Sequence, residues 1–165
     1  MRAARAARLE DLDDLVRLEE EAFESDRLDR RALRHAIRSP TILALVIEGA
    51  GGSLAGYALV QLRRGSRIAR LTSLAVAADA GRQGVGRRLM SAAEEGAAAS
   101  GADVLRLEVR ADNHAAIRLY ETAAYRSLGT VPDYYEDGEA AARYERALGK
   151  AGRPSFRALA SRAPE

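Results

Sequence analysis

The chain has 165 residues, 47% hydrophobic and 30% charged, a balance that suits one globular domain and excludes a disordered chain. Cysteine is absent, which excludes disulfides and thiolate chemistry, and no apolar run approaches the roughly 20 residues of a membrane helix. The formal net charge is +2, and Lys150 is the single lysine among 26 basic residues, so the positive charge is carried by arginine.

The first residues, "MRAARAARLEDLDD", lack the apolar run of a secretory signal, and a cytoplasmic location is expected. From Leu12 the apolar residues Leu12, Leu15, Val16 and Phe23 recur at helical spacing, with Asp11, Asp13 and Asp14 near the start, where carboxylates favour a helix. A shorter amphipathic helix over residues 29–38 turns Leu33 and Ile37 inward and stops before Pro40. "TILALVIE", the loop "GAGGS" and "LAGYALVQLRR" then form a hairpin. "RIARLTSLAVA" makes a third strand, and its second half, Leu74 to Ala77, is apolar on both faces, as a central buried strand is.

After that strand comes "DAGRQGVGRRLM", leading into an alanine-rich helix closed by Gly101. The strand "VLRLEVRA" follows, then a helix capped at Asp112 or Asn113, then two strands, "YRSLGTV" and "ARYERAL", around the polar loop "PDYYEDGEA". The order α-α-β-β-β-α-β-α-β-β describes an α/β domain around one mostly antiparallel mixed sheet with helices on both faces. Residues 1–148 make that domain. Residues 149–165 read as a basic tail of poor order.

The glycines of "DAGRQGVGRRLM" mark a helix start, where unpaired N–H groups and the macrodipole make an anion site. Gly84 and Gly86 let the backbone approach an anion, and Arg82 and Arg87 add charge-assisted donors. A tight flexible turn explains the same glycines. A P-loop requires Lys-Ser or Lys-Thr where Arg87 and Arg88 stand, and a dinucleotide fingerprint requires glycine where Leu89 stands. His35 and His114 lie on separate helices with no metal-ligand partner at useful spacing, so no metal is expected.

The stretches "SLAVAADAGRQGVGRRLM" and "LRLEVRADNHAAIRLYETAAY" together resemble the acetyl-CoA-binding core of the GNAT acetyltransferase superfamily. Within it the similarity is greatest to the enzymes that acetylate the N-terminal alanine of ribosomal proteins. It is dense from Leu71 to Tyr125 and extends more weakly from Leu9 to Leu148. The resemblance implies the GNAT fold and an N-acetyltransferase that moves the acetyl group of acetyl-CoA to a primary amine, first of all a protein N-terminus.

It further implies that the strand before the glycine loop splays from its neighbour and offers the backbone of Leu74, Ala75 and Val76 to the pantetheine arm. Arg82, Gln83, Gly84, Val85, Gly86 and Arg87 would hold the pyrophosphate, although the loop's first family position is here Gly81. Asn113 matches a residue that bonds the pantetheine arm, and as a helix cap it would serve at once.

The chemistry implied is aminolysis of a thioester. It needs a base for an amine that is largely protonated at neutral pH and a donor for the departing thiolate. Glu108 matches the family's general base, though by alternation alone it belongs to an ordinary polar strand face. Tyr120 matches the general acid, though beside Ile117 and Ala124 it also reads as a core tyrosine.

In "DYYEDG", Tyr134, Tyr135 and Glu136 form either a hydrated loop tip or a lip for the acceptor. Alternatives to the N-terminal reading are a small-molecule amine or lysine as acceptor, or a non-catalytic acyl-CoA-binding module. A nucleic-acid module would gather its basic residues on one face and carry more than 5% aromatics, and the acids interspersed here argue against it.

Overall fold

A computed structural model describes residues 2–81 and 83–149 of the protein. Arg82 and residues 150–165, which are the expected tail of 149–165 without Gly149, lie outside the described residues. The elements are β1 (Arg5–Ala6), α1 (Leu12–Ala22), α2 (Arg30–Arg38), β2 (Ile42–Glu48), β3 (Leu54–Gln61), β4 (Ile68–Val76), α3 (Val85–Ala99), β5 (Val104–Arg110), α4 (His114–Thr122), β6 (Arg126–Val131) and β7 (Ala141–Ala147). From α1 onward this is the order expected from the sequence. The short edge strand β1 is an addition, because two residues of Arg-Ala carry no periodicity by which a strand can be recognised.

The strands form one sheet in the order β1-β2-β3-β4-β5-β7-β6. The pairing of β4 with β5 is parallel, and every other pairing among these strands is antiparallel. The β2–β3 half is buried on both faces. Consecutive residues show why: Tyr57 points to α1, where its hydroxyl meets Glu19, while Gly56 points to α3. A Cβ on Gly56 would come within 2.9 Å of Val85 and 3.0 Å of Leu89, so this glycine lets α3 lie close against the sheet. Leu15, Leu18 and Leu33 on one side and Leu89, Leu105 and Leu107 on the other are essentially without solvent contact. Each such side chain stabilises the fold by roughly 1.5–3 kcal/mol relative to exposure.

Helix starts follow their caps. Asp29 accepts the Ala32 N–H at 2.8 Å to open α2, and Asn113 accepts the Ala116 N–H at 3.1 Å to open α4. Phe23, counted from spacing as part of the first helix, is its C-cap in extended conformation and begins the α1–α2 loop. The N-terminal segment is held by the fork of Arg5, which bonds Asp11 at 2.8 and 2.9 Å and Glu48 at 2.9 Å.

The feature that positions the site is an interruption of the sheet. β4 and β5 pair only from Ile68 to Leu71 and from Val104 to Leu107. Beyond those residues β4 runs on to Val76 beside β3, while β5 runs on to Arg110 beside β7. The two strands therefore diverge, and a wedge opens between them. The expectation that Leu74 to Ala77 is buried on both faces is corrected here: Ala75 and Ala77 are buried, but Leu74 and Val76 are only half-buried because no strand covers that edge.

Candidate active site

The wedge leads into a cleft of 610 Å³ with floor residues Leu71, Thr72, Ser73 and Leu74 from β4 and Leu107, Glu108, Val109 and Arg110 from β5. The α1–α2 loop closes one side, the start of α4 another, and Tyr135 and Asp137 from the β6–β7 loop a third. Of the residues singled out from the sequence, Leu74, Glu108, Asn113, Tyr120 and Tyr135 are brought together here. They come from four separate elements and loops.

The ladder decides which backbone groups of β4 are open. Ala77 N–H donates to Ala55 O at 2.8 Å, so by antiparallel alternation Ala75 also turns its polar groups to β3. Leu74 and Val76 turn theirs to the side from which β5 has departed. The exposed edge is therefore carried by Leu74 and Val76, with Ala75 engaged in the sheet.

The glycine loop lies beyond the end of β4. Gly84 adopts a left-handed conformation (φ 73°), and among the described residues no neighbouring atom lies within 4 Å of where its Cβ would stand. The first backbone bond of α3 among the described residues runs from Arg88 N–H to Gly84 O at 3.1 Å. The N–H groups of Val85, Gly86 and Arg87 thus stand at the open helix end. Two side-chain details add to the sequence reading. A Cβ on Gly86 would approach the Leu119 side chain of α4 to 3.1 Å, so this glycine also eases the packing of α3 on α4. The Arg87 guanidinium donates one Nη2 hydrogen bond to Thr122 Oγ1 at 3.2 Å, which links α3 to α4. Gln83 is exposed, and Val85 is buried in the core. Arg82 lies outside the described residues.

Glu108 sits on β5 with its carboxylate half-enclosed between two arginines. Arg70 of β4 reaches it at 3.1 Å and Arg143, its register partner on β7, at 3.5 Å. Tyr120 is 6% exposed and packs against Tyr125 and Tyr144, with ring centres 6.0 and 6.5 Å away. Tyr120 is thus buried, as the core-tyrosine reading expects, and it also lines the cleft. Burial pushes its phenol ionisation well above the ordinary tyrosine value. Its hydroxyl has no hydrogen-bond partner among the described residues. A protonated donor facing a cleft is what a departing thiolate requires.

Tyr135 is half-buried at the opposite wall. Burial first, then Tyr134 and the Glu108 carboxylate, push its phenol up to about 12. Tyr134 and Glu136, grouped with it from the sequence, do not line the cleft: Tyr134 is 47% exposed, and Glu136 also faces outward.

A carboxylate absent from the sequence reading also lines the cleft. Glu19 is 2% exposed, and it accepts from the Tyr57 hydroxyl, from Ser73 Oγ at 3.1 Å and from Leu28 N–H at 2.9 Å. Burial raises its ionisation above the ordinary glutamate value, against the opposing pull of these bonds. Its bond to Leu28 fastens the α1–α2 loop to α1. The signal was present in the sequence: Glu19 follows Leu15 by four residues and so falls on the apolar stripe of the helix.

Residues 9–125 match the acetyltransferase (GNAT) family. A Bacillus subtilis (strain 168) protein named as a ribosomal protein bS18-alanine N-acetyltransferase is 33% identical over 135 residues, covering 82% of this chain and 87% of its own length. Mycothiol acetyltransferase of Clavibacter michiganensis subsp. michiganensis is 33% identical over 132 residues, 76% of this chain. The match spans only 42% of that longer protein. Among solved structures, the ribosomal-protein-S18-alanine N-acetyltransferase of Escherichia coli superposes with a TM-score of 0.79 and 28% identity, covering 92% of this chain and 97% of that one. With its sheet opened between β4 and β5 and residues 9–125 matching the family, the chain belongs to the GNAT acetyltransferases and is an acyl-CoA-dependent N-acetyltransferase.

Proposed function

We propose that the protein transfers the acetyl group of acetyl-CoA to a protein N-terminal α-amino group, with N-terminal alanine as the first candidate. The observation that carries this reading is the convergence of Glu108, Tyr120 and Tyr135 on one cleft at the divergence of β4 and β5. The relatives named for acetylation of ribosomal-protein alanine support the choice of acceptor.

Acetyl-CoA enters along the open edge of β4. The N–H groups at the start of α3 receive the pyrophosphate, and Leu74, Val76 and Asn113 align the pantetheine arm. The acceptor amine enters from the side of the α1–α2 and β6–β7 loops. Its nitrogen attacks the thioester carbonyl carbon and loses a proton to Glu108. The C–N bond forms, the C–S bond breaks, and the coenzyme thiolate takes a proton from Tyr120. The protein's share is orientation and proton handling, since the thioester is already activated.

Initial rates with acetyl-CoA test the proposal on an octapeptide beginning with alanine and on the same peptide blocked at its N-terminus. The free peptide should be acetylated and the blocked one should not. Glu108→Gln should lower kcat by roughly 10²–10⁴-fold, the usual worth of a general base, with acetyl-CoA affinity kept. An unchanged kcat would remove Glu108 from the role. Mycothiol acetyltransferase brings a second reading, a small-molecule amine as acceptor. Turnover of a small primary amine but of neither peptide would favour it.

A further inference from the structure

Arg110 follows Glu108 by two residues on the same face of β5 and is the last residue of that strand. Its guanidinium uses both edges. Nε and Nη2 donate to Asp112 at 3.1 and 3.3 Å, on the turn that leads to Asn113 and α4. Nη1 and Nη2 donate to Asp137 at 3.1 and 2.6 Å, on the β6–β7 loop. The guanidinium carbon also lies 5.1 Å from the centre of the Tyr135 ring, within cation–π range.

The loop is joined to the end of β5 at its base, where Ala111 N–H donates to Ala140 O at 2.9 Å. It makes a self-contained tip: Tyr134 and Tyr135 N–H both donate to Glu139 O, Gly138 N–H to Tyr135 O, and Glu139 N–H to Asp137 Oδ1. Tyr134 stacks edge-on against Tyr135 with ring centres 5.0 Å apart. Among the described residues, the side-chain bonds that run from this tip to the rest of the fold all go to Arg110. The two carboxylates hold its positive charge more firmly than usual, with Asp137 contributing most. In return Arg110 keeps the Asp137 carboxyl below the ordinary aspartate value.

We propose that Arg110 is a positioning residue for the acceptor: it straps the β6–β7 loop to the end of β5 and so seats Tyr135 at the wall of the cleft. The arginine itself takes no part in the bond changes. A lysine could not replace it, because a point charge cannot bridge two carboxylates in one plane while lying beside a ring. The inference rests on the reading that the acceptor amine enters between the two loops.

The test is steady-state kinetics with acetyl-CoA and the alanine-initial octapeptide, on the wild type, Arg110→Gln, Arg110→Lys and Asp137→Asn. Asp137→Asn keeps the side-chain size and leaves the Arg110–Asp112 contact in place, so it serves if Arg110→Gln folds poorly. Breaking the clamp on the loop should raise the peptide KM about tenfold in all three variants, with kcat and acetyl-CoA affinity within about twofold of wild type. In a Tyr135→Ala background, Arg110→Gln should add little further change, because the residue it positions is gone. A KM within twofold of wild type overturns the proposal, as does an equal loss in kcat or a full additional effect in the Tyr135→Ala background. A wild type inactive on the peptide refutes the acceptor reading itself, and the inference with it.

Discussion

Gly84 and Gly101 allow the cradle at the start of α3 to be tested apart from the fold. Both residues hold a positive φ, 73° and 95°, at opposite ends of the same helix, and among the described residues no neighbouring atom lies within 4 Å of a Cβ added at either. Alanine at either position meets the same left-handed penalty, about 1–2 kcal/mol. For a chain of this size that corresponds to a fall in Tm of roughly 2–8 °C. The functional consequences should separate the two. Gly84 precedes the N–H groups of Val85, Gly86 and Arg87, which have no backbone partner among the described residues, and a methyl group there would crowd an approaching pyrophosphate, whereas Gly101 lies at the far end. Loss of one charge-assisted backbone hydrogen bond costs about 1.5–3 kcal/mol, or roughly 10–150-fold in Kd. Titration calorimetry with acetyl-CoA, together with thermal unfolding, measures both quantities. Gly84→Ala should lose affinity and Gly101→Ala should not, at similar Tm. Equal affinities in the two variants would show that the helix start is not the anion site.

Tyr120→Phe should lower kcat by about 10²-fold with the octapeptide as acceptor. Because burial raises the Tyr120 ionisation, the wild type should stay fully active from pH 7 to about 9, with no falling limb from this residue. A limb in that range that disappears in Tyr120→Phe would refute the assignment. Asp11→Asn tests the N-terminal clamp: burial works to raise the Asp11 carboxyl, but the Arg5 and Arg8 hydrogen bonds outweigh it and hold it below the ordinary value. Its stabilisation is therefore present above the unfolded aspartate value of about 3.9 and lost as pH falls through the lower folded value. Urea unfolding should show Asp11→Asn weaker by roughly 1–3 kcal/mol at pH 7, with the gap closing in acid. A gap that is constant with pH would mean the carboxylate charge is not what stabilises.

Local chemistry was legible in the sequence wherever a signal repeats within a few residues. Heptad-like spacing set α1, caps set the starts of α2 and α4, and alternation set β5, because each depends on neighbours in the chain. The glycine loop could be placed before a helix for the same reason, and the family resemblance rested on contiguous motifs. The roles of individual glycines were not legible. Gly84 serves a backbone angle and Gly86 serves an approach to Leu119, a residue 33 positions further on.

What the tertiary structure decided is where the sheet opens: β4 and β5 part after Leu71 and Leu107. The periodicity of "RIARLTSLAVA" does not show that its second half loses a partner; only the family resemblance implied a splayed strand, and the opening itself follows from β5 turning away to pair with β7. The same divergence leaves Leu74 and Val76 open and Ala75 engaged, and it places Glu108 between Arg70 and Arg143. Tyr134 and Tyr135 are neighbours with identical side chains, yet only Tyr135 faces the cleft, with Arg110 beside its ring. Local sequence determined the elements because backbone preference and periodicity act over a few residues. The site depended on contacts between residues tens of positions apart, and these exist only once the sheet has formed.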